Sequence, residues 1–252
     1  MKKFVIVGTQ RTGSSAFAES LNMHPHVACG WEWGQRGYLI NRVKVAETAL
    51  DGDFSLLNDR ERKQIEILMR KQPEWIGYRR LFRSSNKWII TPRISPALWN
   101  DQMGRYIQWL SCNADVRIIH IIRRDNIAWL RSKYISRITK SYVGKAYPEN
   151  IAMKIPVREA LKRLRSKEFV DGRLSFLSRT NPYLRIHYED FLTNRTSVLN
   201  QTLEFLECDP KDLEDRSSTI HRQSSKDPSE QITNYFELKV YLEKYGIRFS
   251  LL

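Results

Sequence analysis

A strand–loop–helix pattern at the amino terminus constrains this chain more than any other feature. The β-branched run at residues 4–7 predicts a buried strand, and a helical pattern starts at Ser14. Between them, Gly8 and Gly13 have the spacing of a loop whose backbone N–H groups turn inward around a phosphate, at the positive end of the following helix. The sequence therefore predicts a phosphate-binding loop, although the spacing alone also fits a simple tight turn.

The residue after the second glycine narrows the choice of ligand. In nucleotide kinases a lysine follows that glycine and grips the terminal phosphates of ATP, whereas Ser14 occupies that place here. The nearest cation is Arg11, inside the loop. We therefore expect the loop to hold one 5′-phosphate group, with Arg11 reaching the group attached to it.

Short β-rich runs followed by helical stretches predict one α/β domain over residues 1–252, with a central, mostly parallel sheet flanked by helices. The predicted strands are residues 4–7, 88–91, 116–122 and 183–187. The predicted helices are residues 14–22, 59–71, 96–111, 125–141, 157–179, 197–206 and 231–245. Ligands of such sheets collect beyond the carboxyl ends of the strands, so the residues that follow each strand are the candidates for function.

The formal net charge of +14 predicts an anionic partner: a nucleotide, a nucleic acid, an anionic lipid surface or an acidic glycan. A solvated basic surface would give the same charge. Cys29, Cys112 and Cys208 are odd in number and match no metal-ligand spacing, which favours a reducing compartment. No apolar run is long enough to span a membrane, and a strand that begins at Phe4 leaves no room for a signal peptide. A cytoplasmic protein is expected.

A second group of cations follows the predicted strand at residues 116–122. Arg123, Arg124 and Asp125 come directly after it, and Ser132 lies eight residues beyond Arg124. A nucleotide hydrolase would place a Mg²⁺-binding aspartate at the end of such a strand, whereas two arginines suit a second phosphate without a metal. The alternative is an exposed basic helix start that Asp125 caps.

Three motifs in this order resemble the P-loop sulfotransferases, which use 3′-phosphoadenosine 5′-phosphosulfate (PAPS). The loop Arg11-Thr-Gly-Ser-Ser15 is similar to their [K/R]-[S/T]-G-[S/T]-[S/T], Arg124 and Ser132 fit their Arg–Ser 3′-phosphate motif, and Tyr188-Glu-Asp190 matches a common Tyr-Glu-Asp. The resemblance implies a nucleotide-kinase-like P-loop topology. It also implies that Arg11, Thr12, Gly13, Ser14 and Ser15 hold the 5′-phosphosulfate, that Arg124 and Ser132 hold the 3′-phosphate, and that Tyr188 lies near the adenosine.

The pattern looks closer to the bacterial carbohydrate and Nod-factor type than to the cytosolic phenol and steroid type. Where the cytosolic type has a sulfuryl-binding Lys and a catalytic His, this chain reads Ile90-Thr-Pro-Arg93. The cytosolic type also has a carboxyl-terminal Arg-Lys-Gly element that binds the 3′-phosphate, and in this chain only Arg222 and Lys226 could substitute for it. The resemblance therefore implies transfer of a sulfuryl group to a hydroxyl of a carbohydrate or glycolipid, with adenosine 3′,5′-bisphosphate as product and no metal.

Glu32 is the preferred general base, because in the bacterial enzymes that the chain resembles a glutamate often follows the first helix at about this position. Trp31 and Trp33 would raise the pKa of its carboxyl by desolvation, and Trp33 could stack on a sugar ring. A glutamate between two tryptophans could equally cap a turn. His24 and His26 are the rival bases, although each fits a packing role as well.

The acceptor pocket is expected in residues 34–85 and 141–156. Arg93 could meet the sulfuryl group or an acidic acceptor, or could form a surface salt bridge.

Two other function classes compete with a sulfotransferase. A nucleotide or nucleoside kinase with a degenerate loop would need a lysine at position 14 and an acidic residue at the strand end, and this chain has neither. A nucleic-acid-binding protein is suggested by the charge alone, since Lys and Arg are spread along the chain without a recognisable motif. Peripheral contact with an anionic membrane is compatible with this charge.

Overall fold

β1 (Lys2–Thr9) lies at the centre of a five-stranded parallel sheet in this computed structural model, which describes residues 2–30, 45, 48–82, 102–140, 151–210 and 227–247. It pairs with β3 (Trp75–Phe82) on one side and with β4 (Arg117–Ile122) on the other. β2 (Val27–Gly30) and β5 (Tyr183–His187) form the two edges. The order β2-β3-β1-β4-β5, with every pairing parallel, confirms the predicted α/β sheet.

Helices flank this sheet, and four of them begin at a residue whose side chain caps the first turn, as two of these starts illustrate. Asn58 and Glu61 exchange side-chain and backbone hydrogen bonds in a capping box, and Asp125 Oδ1 accepts from the Ala128 N–H at 2.8 Å. The described helices are α1 Ser14–Leu21, α2 Asp59–Met69, α3 Gln102–Cys112, α4 Asn126–Thr139, α5 Val157–Ser175, α6 Tyr188–Thr193, α7 Arg195–Phe205, α8 Pro228–Gln231 and α9 Tyr235–Lys244, and a 3₁₀ turn spans Phe176–Arg179. None of them combines the length and the apolar character that a membrane crossing requires.

The core follows from alternation along β1. Val5 and Val7 face one side of the sheet, with side chains from α3 and α5, while Phe4 and Ile6 face the other, with side chains from α1 and α7. A third buried cluster joins α4, α5 and α9. Burial on both faces explains why β1 and β4 read as continuous apolar runs in the sequence.

Two strands of the sheet were not predicted. β2 is short, and β3, the direct neighbour of β1, contains Arg79 and Arg80 within its apolar run. The predicted strand at residues 88–91 lies outside the described residues. Residues 34–85, expected to line an acceptor pocket, include α2 and β3 of the domain core.

The helix predicted at residues 231–245 is wrong in its first part, because the chain leaves α8 after Gln231 and starts α9 at Tyr235. The cause lies in the segment just before α5. Ile232 bridges to Met153, and the Asn234 side chain bonds both the N–H and the carbonyl of Ile155, at 2.9 and 3.0 Å. These contacts hold residues 232–234 outside helical geometry. The helix predicted at 157–179 likewise ends at Ser175 and continues as the 3₁₀ turn.

Gly172 is an exposed glycine in the last turn of α5, before the chain continues into the 3₁₀ turn, and a Cβ added there would meet no atom within 4 Å. Glycine in a helix interior is about 0.5–1 kcal/mol less favourable than alanine. We expect Gly172→Ala to raise the free energy of unfolding by about that amount in urea titrations. Gly77→Ala is the control, because its Cβ would lie 2.5 Å from the Phe4 ring, and it should destabilise. A loss of stability in Gly172→Ala would contradict the prediction.

Candidate active site

The loop between β1 and α1 has the geometry of an anion cradle. Arg11 and Gly13 both adopt positive φ, 72° and 74°, while the Thr12 hydroxyl donates to the Thr9 carbonyl at 2.9 Å and closes the turn. Gly13 is the N-cap of α1 and has no side chain to accept from the amides of the first turn. Those amides therefore point at the loop, at the positive end of the helix dipole. A positive φ at arginine is strained, and such strain commonly marks a functional position.

Tyr188, the first residue of α6, packs directly on this loop. A Cβ on Gly13 would lie 2.1 Å from its ring, so this position requires glycine for space as well as for backbone conformation. The Arg123 guanidinium lies 4.8 Å from the centre of the same ring and donates to the Arg11 carbonyl at 3.2 Å. The residues that follow β4 and β5 thus hold the loop from one side.

Arg11 and Ser132 connect the two motifs that the sequence separates by 121 residues. The Arg11 Nε–H donates to Ser132 Oγ at 2.9 Å. Ser132 lies in α4, which starts directly beyond β4, so both side chains stand at the carboxyl edge of the sheet. A ligand at this edge would meet the loop and α4 together.

Arg124 is held by carboxylates of α6. Its guanidinium bonds Asp190, and its Nε lies 3.7 Å from Glu189 Oε2. The Glu189 carboxylate also accepts from the backbone N–H groups of Arg124 and Asp125, at 3.1 and 3.0 Å. Because the Arg124 side chain remains 46% exposed, an incoming anion can reach it. Burial, together with the nearby Arg124 cation, lowers the pKa of His187, which favours its neutral form.

Arg79 also stands beside the loop, and no motif in the sequence indicates it. It lies in β3 opposite Ile6 of β1, is 5% exposed, and its guanidinium bonds the hydroxyl of Ser15 in the first turn of α1. It adds a buried cation beside the phosphate loop. Short of a motif, the pattern that could have indicated it is the pair Arg79 and Arg80 near the end of the β-rich run Trp75–Phe82. Burial raises the pKa of nearby Cys29 to about 12, with Arg79 opposing this effect, so this thiol stays protonated.

The fold brings most of the predicted donor-binding residues to one edge of the sheet: Arg11, Thr12, Gly13, Ser14, Ser15, Arg124, Ser132 and Tyr188. It does not bring His26 there. His26 precedes β2, and its carbonyl accepts from the N–H of Trp75, the first residue of β3, so it lies at the amino edge. Glu32, Trp33, Arg93, Arg222 and Lys226 lie outside the described residues. Within the described ranges, no group of His, Cys, Asp and Glu side chains is arranged to hold a metal ion.

Two known proteins are similar to this chain. Nodulation protein H of Rhizobium meliloti (strain 1021) is 22% identical over 245 residues, covering 94% of this chain and 90% of that protein. The crystal structure of a sulfotransferase from Alicyclobacillus acidocaldarius aligns with a TM-score of 0.51 at 15% identity, over 100% of this chain and 97% of that one, and this likeness shows the fold. No protein-family model matches the chain. These similarities, the sequence motifs and the parallel sheet support a sulfotransferase enzyme of the bacterial type.

Proposed function

We propose that this enzyme transfers a sulfuryl group from PAPS to a hydroxyl of a carbohydrate or glycolipid, and releases adenosine 3′,5′-bisphosphate. The observation that carries the proposal is the Arg11–Ser132 hydrogen bond, because it places the loop motif and the Arg–Ser motif side by side. PAPS carries anionic groups at its 5′ and 3′ ends. Two adjacent cationic sites, one with a helix amino terminus, match such a ligand.

At the 5′ end, we assign the loop amides and the hydroxyls of Ser14 and Ser15 to the phosphate. Arg11 then opposes the charge that develops on the bridging oxygen as the sulfuryl group leaves. Arg79 lies beside Ser15, and we assign it to the same developing charge. Guanidinium groups and backbone amides supply the positive charge that this transfer needs. In this proposal they neutralise the donor phosphate, and no metal ion is assigned to that role.

At the 3′ end, we assign Arg124 and Ser132 to the phosphate and Tyr188 to the neighbourhood of the adenosine. Arg124 would then exchange its Asp190 contact for the phosphate, or share it. Asp190 is itself half exposed, so hydration compensates much of that loss. Arg123 is buried and braces the loop backbone, which makes it a positioning residue in this scheme.

For the acceptor, we propose that Glu32 takes the proton from the attacking hydroxyl and that Trp33 contacts a sugar ring. β2 ends at Gly30, at the carboxyl edge of the sheet, and Glu32 comes two positions later in the sequence. The similarity to Nodulation protein H, together with the Nod-factor-type motif pattern, supports a glycan-like acceptor.

We further propose one domain over residues 1–252, with the acceptor pocket in the parts of residues 34–85 and 141–156 outside the sheet. The three free cysteines fit a reducing compartment such as the cytoplasm.

The proposed donor site is tested by calorimetry with adenosine 3′,5′-bisphosphate in the presence of EDTA. We expect binding without a divalent cation, because arginines and amides neutralise both phosphates. ATP with and without Mg²⁺ is the comparison. If the protein binds ATP only in the presence of Mg²⁺, and does not bind the bisphosphate, the proposal is overturned in favour of a kinase.

Arg124→Ala should weaken adenosine 3′,5′-bisphosphate far more than adenosine 5′-phosphosulfate, which lacks the 3′-phosphate. Loss of a charge-assisted hydrogen bond costs on the order of 1.5–3 kcal/mol. Calorimetry on both ligands measures the difference. Asp190→Asn is the matched control, since it removes one of the two carboxylates beside Arg124 and leaves the cation for the ligand, and it should bind the bisphosphate at least as tightly as the wild type. Equal losses for both ligands in Arg124→Ala would mean that Arg124 does not contact the 3′-phosphate.

A further inference from the structure

The outer face of α5 carries a basic stripe with aromatic rings in it. Its members recur every three or four residues, the spacing of one helical face, and continue into the 3₁₀ turn. The stripe consists of Arg158, Lys162, Arg165, Phe169, Gly172, Arg173, Phe176 and Arg179. It contains five cations, and no carboxylate lies within it, although the exposed Glu168 flanks it. Five like charges on one face strongly favour an anionic partner.

The two phenylalanines of the stripe are exposed apolar side chains. Phe169 is 43% exposed and Phe176 is 44% exposed. Each carries a guanidinium near its ring: Arg173 lies 5.7 Å from the centre of the Phe169 ring, and Arg179 lies 4.8 Å from that of Phe176. Gly172 stands between the two rings and presents no side chain at all. A partner that binds this face of α5 would therefore contact two aromatic rings and several cations together.

We propose that this stripe docks the enzyme on an anionic lipid bilayer. The chemistry of a bilayer fits both halves of the stripe, since the phosphate headgroups pair with the arginines and lysine while the rings enter the boundary with the acyl chains. The stripe lies on the exposed side of a single helix, which suits a broad flat surface better than a strand of nucleic acid, whose binding sites are grooves. The proposal does not depend on which acceptor the enzyme uses.

The direction of α5 relates this face to the site. The 3₁₀ turn at its end leads directly into β5, so the carboxyl end of α5 lies at the amino edge of the sheet. Val157 therefore lies toward the carboxyl edge, where the phosphate loop is, and the helix spans about 28 Å between the two edges. A bilayer along the stripe would reach the level of the site, where a membrane-borne hydroxyl could be presented.

The test is co-sedimentation of the full chain with vesicles of phosphatidylcholine, with and without about 30% phosphatidylglycerol, at physiological ionic strength. We expect binding to the anionic vesicles only. Lys162→Gln/Arg165→Gln should weaken it about 30-fold, since each cation near such a surface contributes about fivefold. Phe169→Ala/Phe176→Ala should weaken it about tenfold while leaving the salt dependence unchanged. Unchanged melting temperatures would show that both variants are folded.

Arg60→Gln/Lys63→Gln is the matched control, because it removes two exposed cations from α2 and leaves the stripe intact. It should bind within a few-fold of the wild type. Equal weakening in this control would reduce the effect to net charge and overturn the proposal. So would failure of the wild type to bind anionic vesicles, or a stronger affinity for a duplex DNA that is lost in the same stripe variants.

Discussion

Arg11→Ala is expected to slow sulfuryl transfer by about 10²–10³-fold, the usual cost of removing one preorganised group that stabilises developing charge. The reason is geometric. Arg11 is held at a positive φ by the loop, and its Nε–H is fixed by Ser132 at 2.9 Å, so its guanidinium is aimed before the ligand arrives. Release of sulfate or product from labelled PAPS gives the rate. Arg11→Lys retains the charge without the Nε–H contact and should fall between the alanine variant and the wild type.

Arg195→Ala is the matched control for Arg11. Arg195 also donates to a serine of α1, since its Nη2 lies 2.7 Å from Ser20 Oγ, but at the end of that helix remote from the loop. Its loss should change the melting temperature modestly and the rate by no more than a few-fold. A fall in rate in Arg195→Ala as large as that in Arg11→Ala would mean that the Arg11 effect reflects damage to α1 and not lost charge at the donor.

The parts of the fold that the sequence predicted are those in which one physical signal dominates. β1 and β4 are largely buried runs, β5 is a short β-rich edge strand, all three end at the predicted loop or motif, and the Gly8–Gly13 spacing located the turn. β2 and β3 escaped prediction for opposite reasons. β2 spans only Val27–Gly30, and glycine and cysteine weaken its signal, whereas β3 contains Arg79, a charge inside an otherwise apolar strand. The Arg79 guanidinium reaches Ser15 at the loop, a contact that no local pattern in the sequence indicates.

The candidate site was predicted as separate motifs but not as an arrangement. Nothing local indicates that Gly13 faces the Tyr188 ring, or that Arg124 pairs with Asp190, since both contacts depend on the order of strands in the sheet. The Tyr188-Glu-Asp190 motif matched as a sequence pattern. The structure adds a physical role: the tyrosine packs on the loop, and the two acids hold the start of α4 and Arg124.

The fold also separates the rival bases. His24 is fully buried, its Nε2–H donates to the Asp209 carbonyl at 2.9 Å, and its Nδ1 accepts from the His26 N–H at 3.2 Å, which are structural contacts of a loop. The His26 ring is exposed beside Glu74, at 3.5 Å, on the amino edge of the sheet. Position 32 follows the other end of β2, so the length of that strand lies between the histidines and the edge where Arg11 stands.

Glu32→Gln should therefore reduce the transfer rate by about 10²–10⁴-fold, the range for loss of a general base, while His26→Ala should leave it nearly unchanged. The amide keeps the size of the side chain and removes only its ability to take a proton. Affinity for adenosine 3′,5′-bisphosphate should stay within a few-fold in both variants, because a carboxylate contributes no attraction to a polyanion. Transfer to a glycan acceptor and calorimetry on the product measure the two effects separately. If Glu32→Gln transfers at the wild-type rate while His26→Ala does not, the base is His26 and the assignment to Glu32 is wrong.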